Sequence, residues 1–129
     1  MVGENMKKHI PVLIVDDSSI IRQTISRYIS GLNVEIVGSA DNGERALKLF
    51  KEKKPAIVTL DITMPGMDGL TLLETMLKIN ADVKVMVVTA LTDNSTGLKA
   101  MKMGAKSFIT KPFTEKKLTD SLNRLLSEV

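Results

Sequence analysis

Five short apolar runs alternate with five amphipathic segments along the 129 residues of this chain. The apolar runs are rich in β-branched residues and are bounded by turn signals or charged residues, which predicts buried strands. They lie at residues 11–15, 34–37, 56–61, 83–88 and 107–110. The segments between and after them repeat apolar residues at helical spacing, as Leu118, Leu122 and Leu125 do near the end of the chain. This alternation predicts a doubly wound α/β domain, in which helices cover both faces of a parallel sheet.

Turn and capping residues set the limits of the predicted elements. Ser18 begins the first helix, Gly38 closes the second strand, Pro55 stops the second helix and Thr114 caps the last one. The fourth helix, predicted over residues 93–103, is the weakest because it contains four poor helix formers, Asn94, Ser95, Thr96 and Gly97. We expect this helix to be mobile.

Composition excludes several classes of function. The chain is 43% hydrophobic and 26% charged, which is typical of a compact fold, and its lack of cysteine excludes disulfides, thiolate metal sites and thiol nucleophiles. The net charge of +3 is spread along the chain, so we expect no direct contact with nucleic acid. No apolar run approaches the roughly 20 residues of a membrane span. We expect a cytoplasmic protein, with a polar tail at 1–9 and one domain at 10–129.

Polar side chains follow four of the five predicted strands. Asp16 and Asp17 follow the first strand, Asp61 ends the third, Thr89 follows the fourth and Lys111 follows the fifth. Parallel strands all leave a sheet by the same edge, and ligands of open α/β sheets bind beyond that edge. We therefore expect three carboxylates, one hydroxyl and one ammonium group to meet at a single rim.

The chemistry of this rim favours phosphoryl transfer. Three neighbouring carboxylates repel one another unless a cation joins them, and carboxylates without His or Cys suit Mg²⁺. Lys111 and Thr89 can bind further phosphate oxygens. No glycine-rich phosphate loop follows the first strand, so neither a P-loop nor a dinucleotide site is predicted. Asp61 itself is then the candidate nucleophile that forms an aspartyl phosphate.

Four motifs together resemble a known family. They are Val-Asp-Asp-Ser at 15–18, Leu-Asp-Ile-Thr-Met-Pro-Gly-Met-Asp-Gly at 60–69, Val-Thr-Ala at 88–90 and Thr-Lys-Pro-Phe at 110–113. In this order and spacing they resemble the receiver domain of bacterial two-component response regulators, most of all the stand-alone chemotaxis type. The resemblance runs from about Ile10 to the end of the chain. It implies a flavodoxin-like five-stranded sheet of order 2-1-3-4-5 with five helices, and a phosphorylated signalling domain rather than an enzyme.

The resemblance also assigns a role to each residue of the rim. It implies that Asp61 accepts a phosphoryl group from a histidine kinase. Asp17 and Asp61 would ligate Mg²⁺ through their side chains, Thr63 through its backbone carbonyl and Asp16 through water.

The resemblance also implies which residues bind the phosphoryl group and which respond to it. Thr89, Lys111 and the backbone N–H of Ala90 would bind the phosphoryl oxygens, and the Lys111–Pro112 bond would be cis. Phe108 occupies the place of a switching aromatic residue that is often tyrosine, so that Thr89 and Phe108 would move together. The expected partners are a sensor histidine kinase and an output protein such as a flagellar motor component, and the expected state is a monomer.

Two alternatives remain open at this point. The chain could be a receiver cut from a longer DNA-binding regulator. It could also be a phosphatase of the haloacid dehalogenase type, which likewise uses a nucleophilic aspartate but needs a second acid where Thr63 stands. Taken singly, each rim residue has a plain explanation as a helix cap, a turn residue or a surface charge; taken together, they share one predicted edge.

Overall fold

A computed structural model describes residues 9–64, 68–90 and 94–129. Strands and helices alternate throughout the described chain. The strands are β1 (Ile10–Val15), β2 (Val34–Ala40), β3 (Ile57–Asp61), β4 (Lys84–Ala90) and β5 (Ser107–Lys111). The helices are α1 (Ser19–Ile29), α2 (Gly43–Lys53), α3 (Gly69–Ile79), α4 (Asn94–Met103) and α5 (Glu115–Leu126). Residue 93, where the fourth helix was expected to begin, lies outside the described residues.

The five strands form one sheet in the order β2-β1-β3-β4-β5, and every neighbouring pair is parallel. This confirms both the doubly wound class that the alternation predicts and the strand order that the resemblance implies. Strand order reverses between β1 and β3, and in such sheets the reversal leaves a crevice beyond the carboxyl ends of the strands. The fold therefore places the ends of β1 and β3 side by side.

Two apolar clusters, one on each face of the sheet, hold the helices. On one face, Leu13 and Leu60 of the sheet pack with Phe50 of α2 and Leu73 of α3. On the other face, α1 and α5 supply Ile25, Ile29, Leu118, Leu122 and Leu125. Only 3% of the residues are aromatic, so aliphatic side chains dominate this packing, and both faces of the central strands are buried.

The prediction that Gly38 ends the second strand is wrong. β2 continues through Gly38 to Ala40, and the pairing of β1 with β2 shifts register between Val12 and Leu13. A Cβ at residue 38 would lie 3.2 Å from Leu49 Cδ1, so helix α2 packs closely against the strand at this point. The glycine marks an irregular, closely covered strand rather than its end.

The last residues of β3, β4 and β5 lie in register at one edge of the sheet. Asp61 pairs with Val88, and the next residue of β4, Thr89, pairs with Thr110. Because β4 and β5 run further than predicted, Thr89 and Lys111 belong to strands rather than to loops. Strand geometry therefore positions these side chains.

In the part of the chain that the structure describes, none of the helices has the length and apolar character needed to cross a membrane.

The side chain of Thr59 places a polar group inside the buried sheet. Its hydroxyl is fully buried in β3 and has no hydrogen-bond partner among the described residues. An unpaired buried hydroxyl loses its bonds to water without compensation. We expect Thr59→Val to raise the free energy of unfolding by about 1 kcal/mol in urea denaturation. Thr59→Ser, which keeps the hydroxyl and removes the methyl group, should lower it; a loss of stability in Thr59→Val would contradict this account.

Candidate functional site

Three carboxylates meet beyond the ends of β1 and β3, as the sequence predicted. One oxygen from each of Asp16, Asp17 and Asp61 lies within 4.8 Å of the others. Asp16 and Asp61 are almost completely buried, with 0% and 2% of their surface exposed, whereas Asp17 is exposed. The cluster is therefore open to solvent on the side of Asp17 and closed beneath the other two carboxylates.

The carboxylate of Asp61 is held by donors on both of its oxygens. Oδ1 accepts hydrogen bonds from the backbone N–H and from the hydroxyl of Thr63, each at 2.8 Å. Oδ2 accepts a hydrogen bond from Lys111 Nζ at 3.0 Å. These three donors fix the orientation of the carboxylate at the end of a buried strand. The carbonyl of Thr63, expected to bind a metal, stays a prediction.

Lys111 links the two buried carboxylates. Its Nζ lies 3.0 Å from Asp61 Oδ2 and 3.0 Å from Asp16 Oδ2. Partial burial acts to lower the pKa of Lys111, but the hydrogen bonds and negative charges of the two aspartates outweigh it and raise the pKa above its ordinary value. The ammonium group is therefore charged throughout the physiological range. The Lys111–Pro112 peptide bond is cis, as the resemblance implies.

The charged form of the Asp16 carboxyl group is disfavoured by its burial. Burial raises the pKa of its carboxyl group, although the hydrogen bond that Ser18 N donates to Oδ1 at 2.9 Å and the charge of Lys111 act to lower it. Its other oxygen, Oδ2, lies 3.0 Å from Lys111 Nζ and has no further partner among the described residues. A buried oxygen of this kind is suited to a further cation.

Arg22 is a part of the site that sequence reasoning did not single out. Its Nη1 donates a hydrogen bond of 2.6 Å to the backbone carbonyl of Asp16, which ties the first turn of α1 to the end of β1. A single arginine on a helix is ordinarily a surface residue, so nothing in the sequence marks it. Its position one turn beyond the Ser18 cap is the only signal, and that signal is weak.

Thr89, Ala90 and Phe108 lie on the β4–β5 side of the rim. The Thr89 hydroxyl donates a hydrogen bond of 2.8 Å to the carbonyl of Ala90, and Thr89 is fully buried. Ala90 pairs in register with Lys111, which places both beside the carboxylate cluster. Phe108 is half-buried against the core on the α4 side. The roles expected for these three residues stay predictions.

The residues of the cluster fit a hard divalent cation. Each of the three acids offers one carboxylate oxygen to the cluster, and Asp16 is buried within it. Hard divalent cations such as Mg²⁺ and Ca²⁺ prefer oxygen ligands, and water completes their coordination. The three aspartates could therefore hold such an ion.

Gly69 lies directly against Ile62, the first residue after β3. It is the first residue of α3, directly after the capping residue Asp68. A Cβ at residue 69 would overlap Ile62 Cα and would lie 2.6 Å from Ile62 Cβ and 2.8 Å from Ile62 O. Since Ile62 stands between Asp61 and Thr63, a side chain at residue 69 displaces the loop that orients the Asp61 carboxylate.

We expect Gly69→Ala to lower the free energy of unfolding by about 2 kcal/mol, because backbone atoms must move to admit the methyl group. Chemical denaturation measures this loss. Gly31→Ala is the matched control, since a Cβ at residue 31 meets nothing within 4 Å. Equal stability of the two variants would show that the loop accommodates a side chain at residue 69.

Comparisons with known proteins agree with this geometry. The family model of the response regulator receiver domain matches residues 12–123. The chemotaxis protein CheY of Thermotoga maritima is 40% identical over 88% of this chain and 95% of its own length, and that of Bacillus subtilis is 37% identical over 90% and 97%. A solved CheX–CheY–BeF3–Mg²⁺ complex from Borrelia burgdorferi is similar in fold, with a TM-score of 0.87 and 30% identity over 95% of this chain and 93% of the other.

Three findings point to the same family. The parallel sheet has the order β2-β1-β3-β4-β5, the carboxylates of Asp16, Asp17 and Asp61 meet at its edge, and the family model matches residues 12–123. The expected resemblance is confirmed over most of the chain. This chain therefore belongs to the response regulator receiver domain family, the signalling domain of two-component systems.

Proposed function

We propose that Asp61 accepts a phosphoryl group from the phosphohistidine of a sensor kinase and that the modified domain then changes its affinity for an output partner. The observation that carries this proposal is the Asp61 carboxylate itself. It is buried and oriented by Thr63, it lies 3.0 Å from the ammonium group of Lys111, and it stands within 4.8 Å of two further acids. This is a nucleophile with a phosphate-binding cation beside it.

In the proposed transfer, one oxygen of Asp61 attacks phosphorus while the bond from phosphorus to the donor's imidazole nitrogen breaks. The electron pair of that bond stays on the imidazole, whose other ring nitrogen already carries a proton, so that neutral histidine leaves and the product is an aspartyl phosphate. Lys111 stabilises the negative charge on the equatorial oxygens. Thr63 holds the attacking carboxylate in a fixed orientation through its hydroxyl and its N–H.

The side chains of Asp16, Asp17 and Asp61, with the carbonyl of Thr63, would hold Mg²⁺. Mg²⁺ supplies positive charge that lowers the repulsion between the acids and the incoming phosphoryl group. The family relative from Borrelia burgdorferi was solved with BeF3 and Mg²⁺. This supports the same pair of ligands for the present site.

Thr89 connects the modified aspartate to the rest of the domain. Its hydroxyl now bonds to the Ala90 carbonyl, and it must rotate to donate to a phosphoryl oxygen. Movement of Thr89 then favours a second arrangement of Phe108 and α4, which is a population shift in a two-state element. The names of the CheY relatives support a role in chemotaxis. For the output partner we propose a flagellar motor component.

Intact-protein mass spectrometry tests the proposal. Incubation with acetyl phosphate and Mg²⁺ should add one phosphoryl group to the native chain, and removal of Mg²⁺ with a chelator should prevent the addition. Asp61→Asn should stay unmodified under the same conditions, while Asp41→Asn, which changes an exposed aspartate outside the cluster, should behave as the native chain does. Persistence of the added group in Asp61→Asn would exclude Asp61 as the acceptor.

Neither alternative is favoured. A haloacid dehalogenase type of phosphatase needs an acid where Thr63 stands, and here Thr63 is a hydrogen-bond donor to the nucleophile. Multiple turnover of a phosphate ester would be required to revive that function. The similarity to chemotaxis proteins over nearly their whole length supports a signalling role of the chemotaxis type.

A further inference from the structure

The ring of Phe108 rests directly on the backbone of α4. Gly97 lies in the middle of this helix and is buried. A Cβ at residue 97 would lie 2.6 Å from Phe108 Cδ2, 2.8 Å from Cε2 and 3.2 Å from Cγ. The ring therefore occupies the space that any side chain at residue 97 would need.

Helix α4 buries only small residues where it meets the sheet. Its buried residues are Gly97 and Ala100, both small, while Leu98 and Met101 are 57% and 36% exposed. An interior glycine lowers the equilibrium constant for helix formation several-fold relative to alanine. A helix with such residues therefore depends on tertiary packing for its stability. Phe108 supplies a large apolar surface from the sheet, next to a helix whose fully buried residues are small.

The seat of the ring lies on the same face of the sheet as the Thr89 side chain. Phe108 pairs with Val87 and Thr110 pairs with Thr89, so the two pairs are separated by one residue along each strand. Side chains two residues apart on a strand share a face and stand about 7 Å apart. A change at Thr89 is therefore transmitted over a short distance to the ring.

The ring also has space to leave its seat. An open groove of about 750 Å³ adjoins Phe108 between the start of α4 and α5, with Asn94, Thr110 and Lys117 among its lining residues. A second groove of about 360 Å³ also adjoins the ring, beside Met101 and Arg124. The ring is thus seated on Gly97 and has open space next to it.

We propose that Gly97 is the positioning residue that seats the Phe108 ring against helix α4, so that a movement of either one alters the contact between them. This inference rests on the proposed function in giving the ring a part in signalling. With glycine at residue 97, the seated position is open and the resting domain keeps its ring on α4. Any larger residue closes the seat and displaces the ring without phosphorylation.

A double-mutant cycle of urea unfolding tests the seat without any phosphoryl chemistry. In the Phe108→Ala background the methyl group of Gly97→Ala meets no ring, and we expect the folding equilibrium constant to rise about fivefold, as for alanine in place of glycine in a helix. In the native background we expect no gain, or a loss. An equal gain in both backgrounds would overturn the inference. Gly31→Ala, whose Cβ meets nothing within 4 Å, controls for the general effect of removing a glycine.

The position of the ring is measured by fluorine NMR of the chain labelled with fluorophenylalanine. The three phenylalanines, Phe50, Phe108 and Phe113, give three resonances, of which Phe108→Leu assigns that of Phe108 and Phe50→Leu that of Phe50. We expect Gly97→Ala to shift the Phe108 resonance and to leave that of Phe50 unchanged. An unmoved Phe108 resonance would overturn the seat, whatever the stability of the variant.

Addition of beryllium fluoride with Mg²⁺ separates the two proposals. If the native Phe108 resonance moves toward its position in Gly97→Ala, the seat is part of the phosphoryl response. If the ligands bind but the Phe108 resonance stays in place, the seat has no part in that response and the inference fails. If Asp61 takes no ligand at all, the proposed function fails, while the cycle still decides whether Gly97 seats the ring.

Discussion

Lys111→Met is expected to slow phosphorylation by acetyl phosphate at least 100-fold. The ammonium group is the cation that contacts both Asp16 and Asp61, and it is the side chain placed to stabilise charge on the phosphoryl oxygens. Removing a single preorganised group of this kind typically costs a factor of about 10² to 10³ in rate. Methionine keeps much of the aliphatic length and removes the charge, so the rate of phosphoryl incorporation measures the electrostatic part directly.

The same substitution should lower stability. It leaves two buried carboxylates without their shared cation, and we expect a loss of about 2 kcal/mol, less than for a fully buried pair because a quarter of the Lys111 side chain is exposed. Lys106→Met is the matched control on an exposed lysine, and both its rate and its stability should equal those of the native chain. A rate within threefold of native in Lys111→Met would contradict the role given to this lysine.

Asp16→Asn is expected to stabilise the metal-free protein at neutral pH while it weakens the binding of Mg²⁺. Burial raises the pKa of the Asp16 carboxyl group in the folded protein, so the folded state holds this proton more tightly than the unfolded state does. Below the unfolded pKa of about 3.9 the group is protonated in both states and costs nothing in charge. As pH rises through the folded pKa, the buried group ionises and the folded state loses stability.

The expected gain in Asp16→Asn is a melting temperature about 3 °C or more above that of the native chain at pH 7, and this difference should shrink toward pH 4. Asparagine can still accept the hydrogen bond from Ser18 N, so the turn at the end of β1 is kept. Mg²⁺ should raise the melting temperature of the native chain more than that of the variant, because a ligand stabilises in proportion to its affinity for the folded state. A gain that is largest in acid would reverse the sign and contradict the account.

The fold could be predicted because its signals are local. Each strand is an apolar run and each helix has a repeating apolar face, so the doubly wound class follows from the pattern along the chain. The order of the strands came from the resemblance and not from the pattern. The end of β2 was mispredicted because a glycine such as Gly38 either ends a strand or marks an irregularity in it, and only the register with β1 and the packing of Leu49 decide between them.

The convergence of the site could also be predicted, since parallel topology alone brings Asp16, Asp61 and Lys111 to one edge. Two contacts could not be predicted. The bond from Arg22 to the Asp16 carbonyl depends on how α1 docks on the sheet, and an arginine has no pattern that announces a backbone partner. Gly97 was read as a weak point of its helix, whereas the structure shows that its missing side chain makes room for Phe108. Both are tertiary contacts between residues whose local sequence favours another explanation.

Chemical trapping of the acyl phosphate tests the central claim most directly. Borohydride reduces an aspartyl phosphate to homoserine, so peptide mass spectrometry of the chain treated with acetyl phosphate and Mg²⁺ locates the modified residue. The account predicts homoserine at residue 61 and aspartate unchanged at residues 16 and 17. Homoserine at residue 16 or 17, or a phosphoryl group that is incorporated but yields no homoserine, would contradict it.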